Sequence, residues 1–450
     1  MSANAPSLQD IRACFEGAIP AILATCSADG VPNVAYISQV FYAGERHVAL
    51  SFQFFNKTRQ NILANPHATA LLLDPTTARF HRLSIRYLRT ETAGPLFEGM
   101  RAQLAGIASH SGMEGVFRLL GSDVYEVEHV EAVDGEGLPA PAPRASLLGA
   151  VRRASERLAR CAALDEALNA VLASLGDFLG IRHAMVLMLD AASQRLYTVA
   201  SCGYATSGVG SEIGLGQGVI GVAARERTPV RIGHVTNAAL YTQAMRSSFD
   251  ADVPDHAPAL AIPYPGLAQP HSQLAVPILN GARTLGVLFV ESSQDLEFGY
   301  EHEDALVTLA GHLGAAIELM QTAEAVEPAL PAVPAAASTA SARSAPLRVR
   351  HYAANDSVFF GDAYVIKGVA GAILWKLLRD HAAQGRTEFT NRELRLGPPL
   401  RLPDVGDNLE ARLLLLQRRL AEQGAGVRIE KTGRGRFRLV VPGALALVAS

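Results

Sequence analysis

At 450 residues the chain is long enough for about three domains of roughly 150 residues each. With 49% hydrophobic and 18% charged residues it can bury several cores, which excludes a disordered or collagen-like chain. The formal net charge of −3 conceals an asymmetry: residues 348–450 hold 17 Lys+Arg against 10 Asp+Glu, a balance of +7 that leaves −10 for residues 1–347, so a polyanionic partner belongs at the C-terminal end.

Two stretches have linker composition, 133–146 and 325–346, rich in Ala, Pro and Ser without an apolar period. They divide the chain into residues 1–132, 147–324 and 347–450. In the first part an amphipathic turn carries Ile11, Cys14 and Phe15, and residues 19–26 and 32–40 flank the turn Ser27-Ala28-Asp29-Gly30 as a hairpin. Strands follow near 47–52, 68–73, 82–92 and 124–129, with a short helix within 56–65. Many strands with tight turns and few long helices predict a small barrel.

The second part opens with an expected helix over 150–179, whose apolar residues Leu158, Leu164, Leu168, Val171, Leu172 and Leu175 recur at helical spacing. It closes with another over 301–320. Between them, strand patterns at 184–189, 197–202, 230–232, 274–279 and 284–291 predict an α+β sandwich, with a long loop over 237–271. The third part reads as a β run over 347–366, helices over 369–381, 391–396 and 407–423, and a final hairpin over 427–440 that turns at Gly433-Arg434-Gly435.

No GxSxG, HExxH, GxxxxGK[ST] or EF-hand loop is present, and Gly214, Gly216, Gly218 and Gly221 lack the acidic residue that completes a dinucleotide fingerprint. Four cysteines, Cys14, Cys26, Cys161 and Cys202, make no CxxC pair, and the 13 histidines make no helical ligand pair with carboxylate support. The expectation is no metal, no disulfide framework and a reducing cytoplasm. No basic leader and no apolar run of about 18 residues occurs, so no membrane partner is expected.

One segment stands apart: Ser51-Phe52-Gln53-Phe54-Phe55-Asn56-Lys57-Thr58-Arg59-Gln60-Asn61. A strand ends, a polar loop gathers Asn, Lys, Thr and Arg, and a helix begins with its free N–H groups forward, which is anion-site chemistry. Lys57 is the only lysine in the first 366 residues of a chain with 36 arginines, so a compact ammonium rather than a planar fork is placed there. Together with Gly30-Val31-Pro32-Asn33-Val34-Ala35 and with Asn65-Pro66 closing the helix, residues 1–132 resemble the pyridoxamine 5'-phosphate oxidase-like, FMN-binding split barrel. The resemblance implies that Lys57 and Thr58 hold the flavin phosphate, with Ser38, Ser51 and Asn61 as neighbours. FMN is the implied cofactor; haem, a deazaflavin or an empty barrel are the alternatives found in that family. The substrate-binding Arg/His pattern for pyridoxine phosphate is missing.

Residues 147–324 resemble a GAF domain through the glycine-rich turn 214–221 and the paired strands Leu274-Ala275-Val276-Pro277-Ile278-Leu279 and Gly286-Val287-Leu288. Neither the cyclic-nucleotide pattern nor a Cys-His bilin attachment is present, so an unidentified small-molecule ligand is implied. Residues 347–450 resemble the winged-helix effector domain of response regulators, with Arg434, Arg436 and Arg438 on the wing. That resemblance implies DNA as partner, with Arg434 and Arg436 on phosphate and groove and Asn408, Arg412 and Gln417 reading bases. In the same helix Leu414 and Leu415 add apolar surface beyond the stripe of Leu409, Leu413, Leu416 and Leu420, which opens an alternative role in docking a protein.

The expected architecture is therefore multidomain: an all-β split barrel, an α+β GAF sandwich and a winged helix. The expected protein is a homodimeric cytoplasmic sensor and transcriptional regulator; the alternative is an FMN-dependent oxidoreductase regulated by its GAF domain.

Overall fold

The computed structural model describes residues 6–15, 21–37, 40–52, 56–110, 119–139, 146–233, 262–326, 346–396, 409–433 and 435–449. The N-terminal part begins with a short 3-10 turn, Arg12–Phe15, and then forms the hairpin β1 (Ala21–Cys26) and β2 (Pro32–Ile37). Its turn needs Gly30 at φ +81, and the Ser27 hydroxyl accepts from the Val31 N–H at 3.1 Å. With β3 (Val40–Tyr42), β4 (His47–Phe52), β5 (His67–Leu73), β6 (Phe80–Glu91) and β7 (Gly121–Ala132) it makes one sheet in the order β2-β1-β5-β6-β7-β4-β3. Every neighbouring pair is antiparallel. The sheet curls around Leu23, Val48, Ala70, Leu83, Ile85 and Tyr125, all buried. One end strand, β2, leaves Val34 65% and Tyr36 80% exposed.

Helix α1 (Lys57–Ala64) lies where the sequence places it, but α2 (Pro95–His110) is an addition. Its two internal glycines weaken its helix propensity by about 1 kcal/mol each, so strand-rich surroundings dominate the local signal. Packing holds it instead: Phe97, Met100 and Leu104 cover Phe41 and Ala49 on the outer side of β3 and β4.

The middle part opens with two helices rather than one, α3 (Leu148–Leu158) and α4 (Leu164–Leu179). The break is at Ala163, which is extended at φ −135, ψ 154. The apolar period runs through both helices because both lie on the same core. Strands β8 (His183–Asp190), β9 (Arg195–Cys202), β10 (Glu212–Gly214), β11 (Val230–Ile232), β12 (Ser272–Asn280) and β13 (Arg283–Ser292) form an antiparallel sheet in the order β10-β9-β8-β13-β12-β11. Helices α3, α4 and α6 (Tyr300–Val326) cover one face, and α5 (Gly218–Glu226) packs on the other. Residues 237–261 of the expected long loop lie outside the described residues.

The C-terminal part has a four-stranded sheet of β14 (Leu347–Tyr352), β15 (Ser357–Phe360), β16 (Ala363–Ile366) and β20 (Leu445–Ala449), in which β20 runs parallel to β14. Helices α7 (Gly368–Gln384), α8 (Asn391–Leu396) and α9 (Leu409–Gln423) follow, with a small sheet of β17 (Glu388–Thr390), β19 (Arg436–Val440) and β18 (Arg428–Gly433). The strands β17 and β20 are additions to the sequence expectation.

The three parts touch. Arg101 of α2 ion-pairs with Glu226 of α5, and Ala102 joins the apolar cluster beneath α5. The Tyr300 hydroxyl donates to the Phe15 carbonyl at 3.2 Å, and the Arg12 guanidinium lies 4.1 Å from the Tyr300 ring centre. Among the described residues no helix is long and apolar enough to cross a membrane.

Candidate functional site

The α1 N-terminus is built by its neighbours. Asn56 caps it in an extended conformation, and its side chain accepts from the Arg59 N–H at 3.1 Å. A chain of side-chain bonds then ties the helix to the first hairpin: Asn33 donates to Thr58 Oγ1 at 3.0 Å and reaches Thr25 Oγ1 at 3.4 Å, while Asn61 donates to the same Thr25 oxygen at 3.2 Å. Asn61 is 4% exposed, so its place is inside this brace and away from any bound phosphate.

The two cations of the motif divide their duties. Arg59 is spent internally: it pairs with Asp123, donates to Thr90 Oγ1 at 3.1 Å and lies 3.5 Å from the Phe52 ring centre. Lys57 is exposed and makes no ion pair among the described residues, and the first turn carries no acidic side chain. A positive helix end, two amides ahead of the capped one and an uncommitted ammonium suit a phosphate. Ser51 lies on β4 opposite Ser122 of β7, and Ser38 lies outside the described residues.

In the middle domain the glycine-rich turn serves packing. A Cβ on Gly221 would lie 2.2 Å from the Gly214 carbonyl oxygen, and the Gly216 N–H donates to the Gly221 carbonyl at 2.8 Å. Glycine is needed there so that α5 can close on β10. The domain's one deeply buried carboxylate among the described residues with a raised pKa is Glu291, which accepts from the Leu267 N–H at 2.8 Å and the Gln273 amide at 3.2 Å. Burial lifts its pKa, and those bonds offset part of the rise. Burial also raises the Cys202 thiol, which makes it a packing thiol rather than a ready nucleophile.

The helix expected to read bases faces inward. Arg412 is 4% exposed; its guanidinium pairs with Asp190 Oδ2 of β8 at 3.0 Å and lies 4.4 Å from the Tyr197 ring centre. In this arrangement it cannot reach a base, a correction with a plain cause: the carboxylates of its own helix, Glu410 and Glu422, pair with Lys431 and Arg419, and the sheet of the middle domain supplies Asp190 instead. Arg418 donates to the Val199 carbonyl at 2.6 Å and to Asn169 Oδ1 at 2.9 Å, Glu422 accepts from the Ser207 hydroxyl, and Lys367 lies 3.3 Å from Glu212. Leu414 and Leu415 are 8% and 3% exposed. They belong to one apolar cluster with Leu164, Leu168, Tyr197 and Val199, so the extra apolar surface on α9 is covered within this chain.

Of the other expected base-reading and wing residues, Gln417 is exposed, Arg436 is half-buried on β19, and Asn408 and Arg434 lie outside the described residues. Much of the positive excess is paired: Arg438 with Glu388 at 2.7 Å, Lys431 with Glu410 at 3.2 Å and Arg428 with Glu430 at 2.6 Å. The sequence holds a hint of this docking in the surplus leucines of α9, but not the identity of the surface that covers them.

Comparison with known proteins agrees with the first two parts. Residues 8–154 match the pyridoxamine 5'-phosphate oxidase family and residues 161–318 match the GAF domain family. No curated protein matches the chain. Similar solved structures include the GAF domain of a phosphoenolpyruvate-protein phosphotransferase from Acinetobacter, 22% identical over 41% of this chain and 99% of that one, with a TM-score of 0.32. The free methionine-R-sulfoxide reductase of Neisseria meningitidis is 21% identical over 41% and 98%, with a TM-score of 0.31. An FMN-binding protein of Syntrophomonas wolfei is 16% identical over 28% and 82%, with a TM-score of 0.23. From the two family matches, the chain carries a pyridoxamine 5'-phosphate oxidase-type split barrel followed by a GAF domain.

Proposed function

We propose that the chain is a sensor in which the split barrel holds FMN by its phosphate and the GAF domain restrains a winged-helix, DNA-binding C-terminal domain. The observation that carries this reading is the docking of α9 on the GAF sheet through Arg412 and Asp190. A helix that must be freed before it can work turns any ligand-induced shift of the sheet into an output. Lys57, Thr58 and the first amides of α1 would hold the phosphate, and the flavin, when bound, supplies visible absorbance and redox chemistry. This chain's own part is to orient that group through the Asn61–Thr25–Asn33–Thr58 brace and to couple the barrel to the GAF domain through Arg101 and Tyr300.

The test is retention of the full chain on duplex DNA at low and moderate salt. Wild type should be held weakly and Asp190→Ala more strongly, with a retention that falls as salt rises. Equal retention of the two, or none by either, rejects the gated DNA reading.

A second reading, an FMN-dependent oxidoreductase regulated by its GAF domain, is favoured by the uncommitted Lys57 at the α1 N-terminus. Catalytic turnover of a flavin by the full chain, altered by Arg101→Ala at the barrel–GAF seam, would select it. A homodimer is also proposed, because the end strand β2 exposes Val34 and Tyr36, two residues apart and so on one face.

A further inference from the structure

Three residues from separate places meet at the closed end of the β5–β6 hairpin. Cys14 comes from the 3-10 turn, Asp74 follows β5, and His81 lies at the start of β6. One ligand atom from each lies within 4.8 Å of the other two. Sulfur, imidazole nitrogen and carboxylate oxygen are the three donor types that zinc takes from proteins.

The scaffold is fixed before any ion arrives. Asp74 Oδ1 accepts from the Thr76 N–H at 2.8 Å, the Thr76 hydroxyl at 2.6 Å and the Thr77 N–H at 3.2 Å. The Asp74 backbone N–H donates to the Arg79 carbonyl at 2.9 Å. These three turn bonds all go to Oδ1 and leave Oδ2 out. His81 Nδ1 is buried and has no hydrogen-bond partner among the described residues. An unsatisfied ring nitrogen, a spare carboxylate oxygen and a thiol that is 9% exposed are each costly or idle alone; together they form a donor set.

We propose that Cys14, Asp74 and His81 bind one zinc ion, with the fourth coordination position open. Bonds of about 2.0–2.3 Å at tetrahedral angles put ligand atoms about 3.3–3.6 Å apart, so from within 4.8 Å no pair has to close by more than about 1.5 Å. As the ion binds, the Cys14 proton leaves to solvent. The ion then staples the N-terminal turn to the hairpin. Phe15, next to Cys14, takes the Tyr300 hydroxyl bond from the GAF helix, so the staple steadies the seam between the two domains. This site replaces the sequence expectation of no metal, and no residue of it belongs to the α1 brace.

The experiment titrates the full chain with Zn2+ and, separately, with Co2+, whose thiolate charge-transfer band reports a sulfur ligand. Wild type should take up one ion per chain and show the band. A variant that keeps Cys14 alone, Cys26→Ser with Cys161→Ser and Cys202→Ser, should keep both. Cys14→Ser should lose the band, and Cys14→Ser and His81→Gln should each bind zinc more than about 100-fold more weakly, beyond the cost of losing an orienting neighbour. Far-ultraviolet circular dichroism identifies any variant that fails to fold, in which case Asp74→Asn takes its place. No band in wild type, a band that persists in Cys14→Ser, or unchanged zinc affinity in a folded variant overturns the proposal.

Discussion

Asp190 on β8 and Arg412 on α9 form an ion pair at 3.0 Å, with side chains 12% and 5% exposed, and this pair joins the C-terminal domain to the GAF sheet. Removing one partner of a buried pair strands the other charge, at a cost of about 3–5 kcal/mol. Asp190→Ala should therefore loosen α9: amide hydrogen exchange in 409–423 should rise while exchange in β12 and β13 stays slow. Unchanged protection of α9 would mean that its apolar contacts alone hold it.

The same contact should weaken in acid. Burial alone would raise the Asp190 pKa, but Arg412 and the bonds from Ser193 and Ala192 outweigh it and hold the carboxyl below its usual range. A depressed carboxylate contributes stability that is present above its unfolded value and is lost as pH falls through the folded one. Protection of α9 should thus be flat near neutrality and decline below the ordinary carboxylate range. Asp190→Asn should remove that decline, and a decline of equal size in the variant would assign it to other groups.

At the α1 N-terminus two substitutions should separate binding from bracing. Lys57→Ala should weaken FMN binding by about 1.5–3 kcal/mol, the worth of a hydrogen bond to a charged group, with little change in melting temperature. Asn61→Ala should instead cost about 1–3 kcal/mol of stability, because it withdraws a partner from the buried Thr25 hydroxyl. Equilibrium titration and thermal melts distinguish the two, and equal FMN affinity for wild type and Lys57→Ala would end the phosphate assignment.

The exposed β2 edge bears on assembly. Val34→Glu with Tyr36→Glu places two charges on an apolar edge without touching the barrel core, so the fold should survive while a homodimer dissociates. Light scattering at micromolar concentration should give a dimer for wild type and a monomer for the variant. A wild-type monomer removes the proposal.

Local pattern was enough for much of the architecture. The period-2 runs of the barrel, the Ser27–Gly30 turn, the Asn56-capped helix at Lys57 and the strand pairs of the GAF sheet each carry their signal within a few residues, because backbone geometry and turn chemistry are local. The lysine that stands alone among arginines was visible for the same reason. The break between α3 and α4 was not, since Ala162 and Ala163 are strong helix formers and no Gly or Pro marks a stop there, yet Ala163 is extended. Helix α2 was missed because two faces of tertiary packing, not its glycine-containing sequence, hold it together.

What only the tertiary structure decided is which distant groups meet. The leucines of α9 announce a surface to be covered, but its cover is the chain's own GAF sheet, and Arg412 turns inward because Asp190 waits there. Cys14 and His81 look idle in the sequence, since the spacing of metal ligands is legible only when they share one helix or loop; here a barrel hairpin folds back beneath a 3-10 turn to bring them to Asp74. Charge and burial are properties of neighbourhoods, and neighbours so far apart along the chain are chosen by the fold.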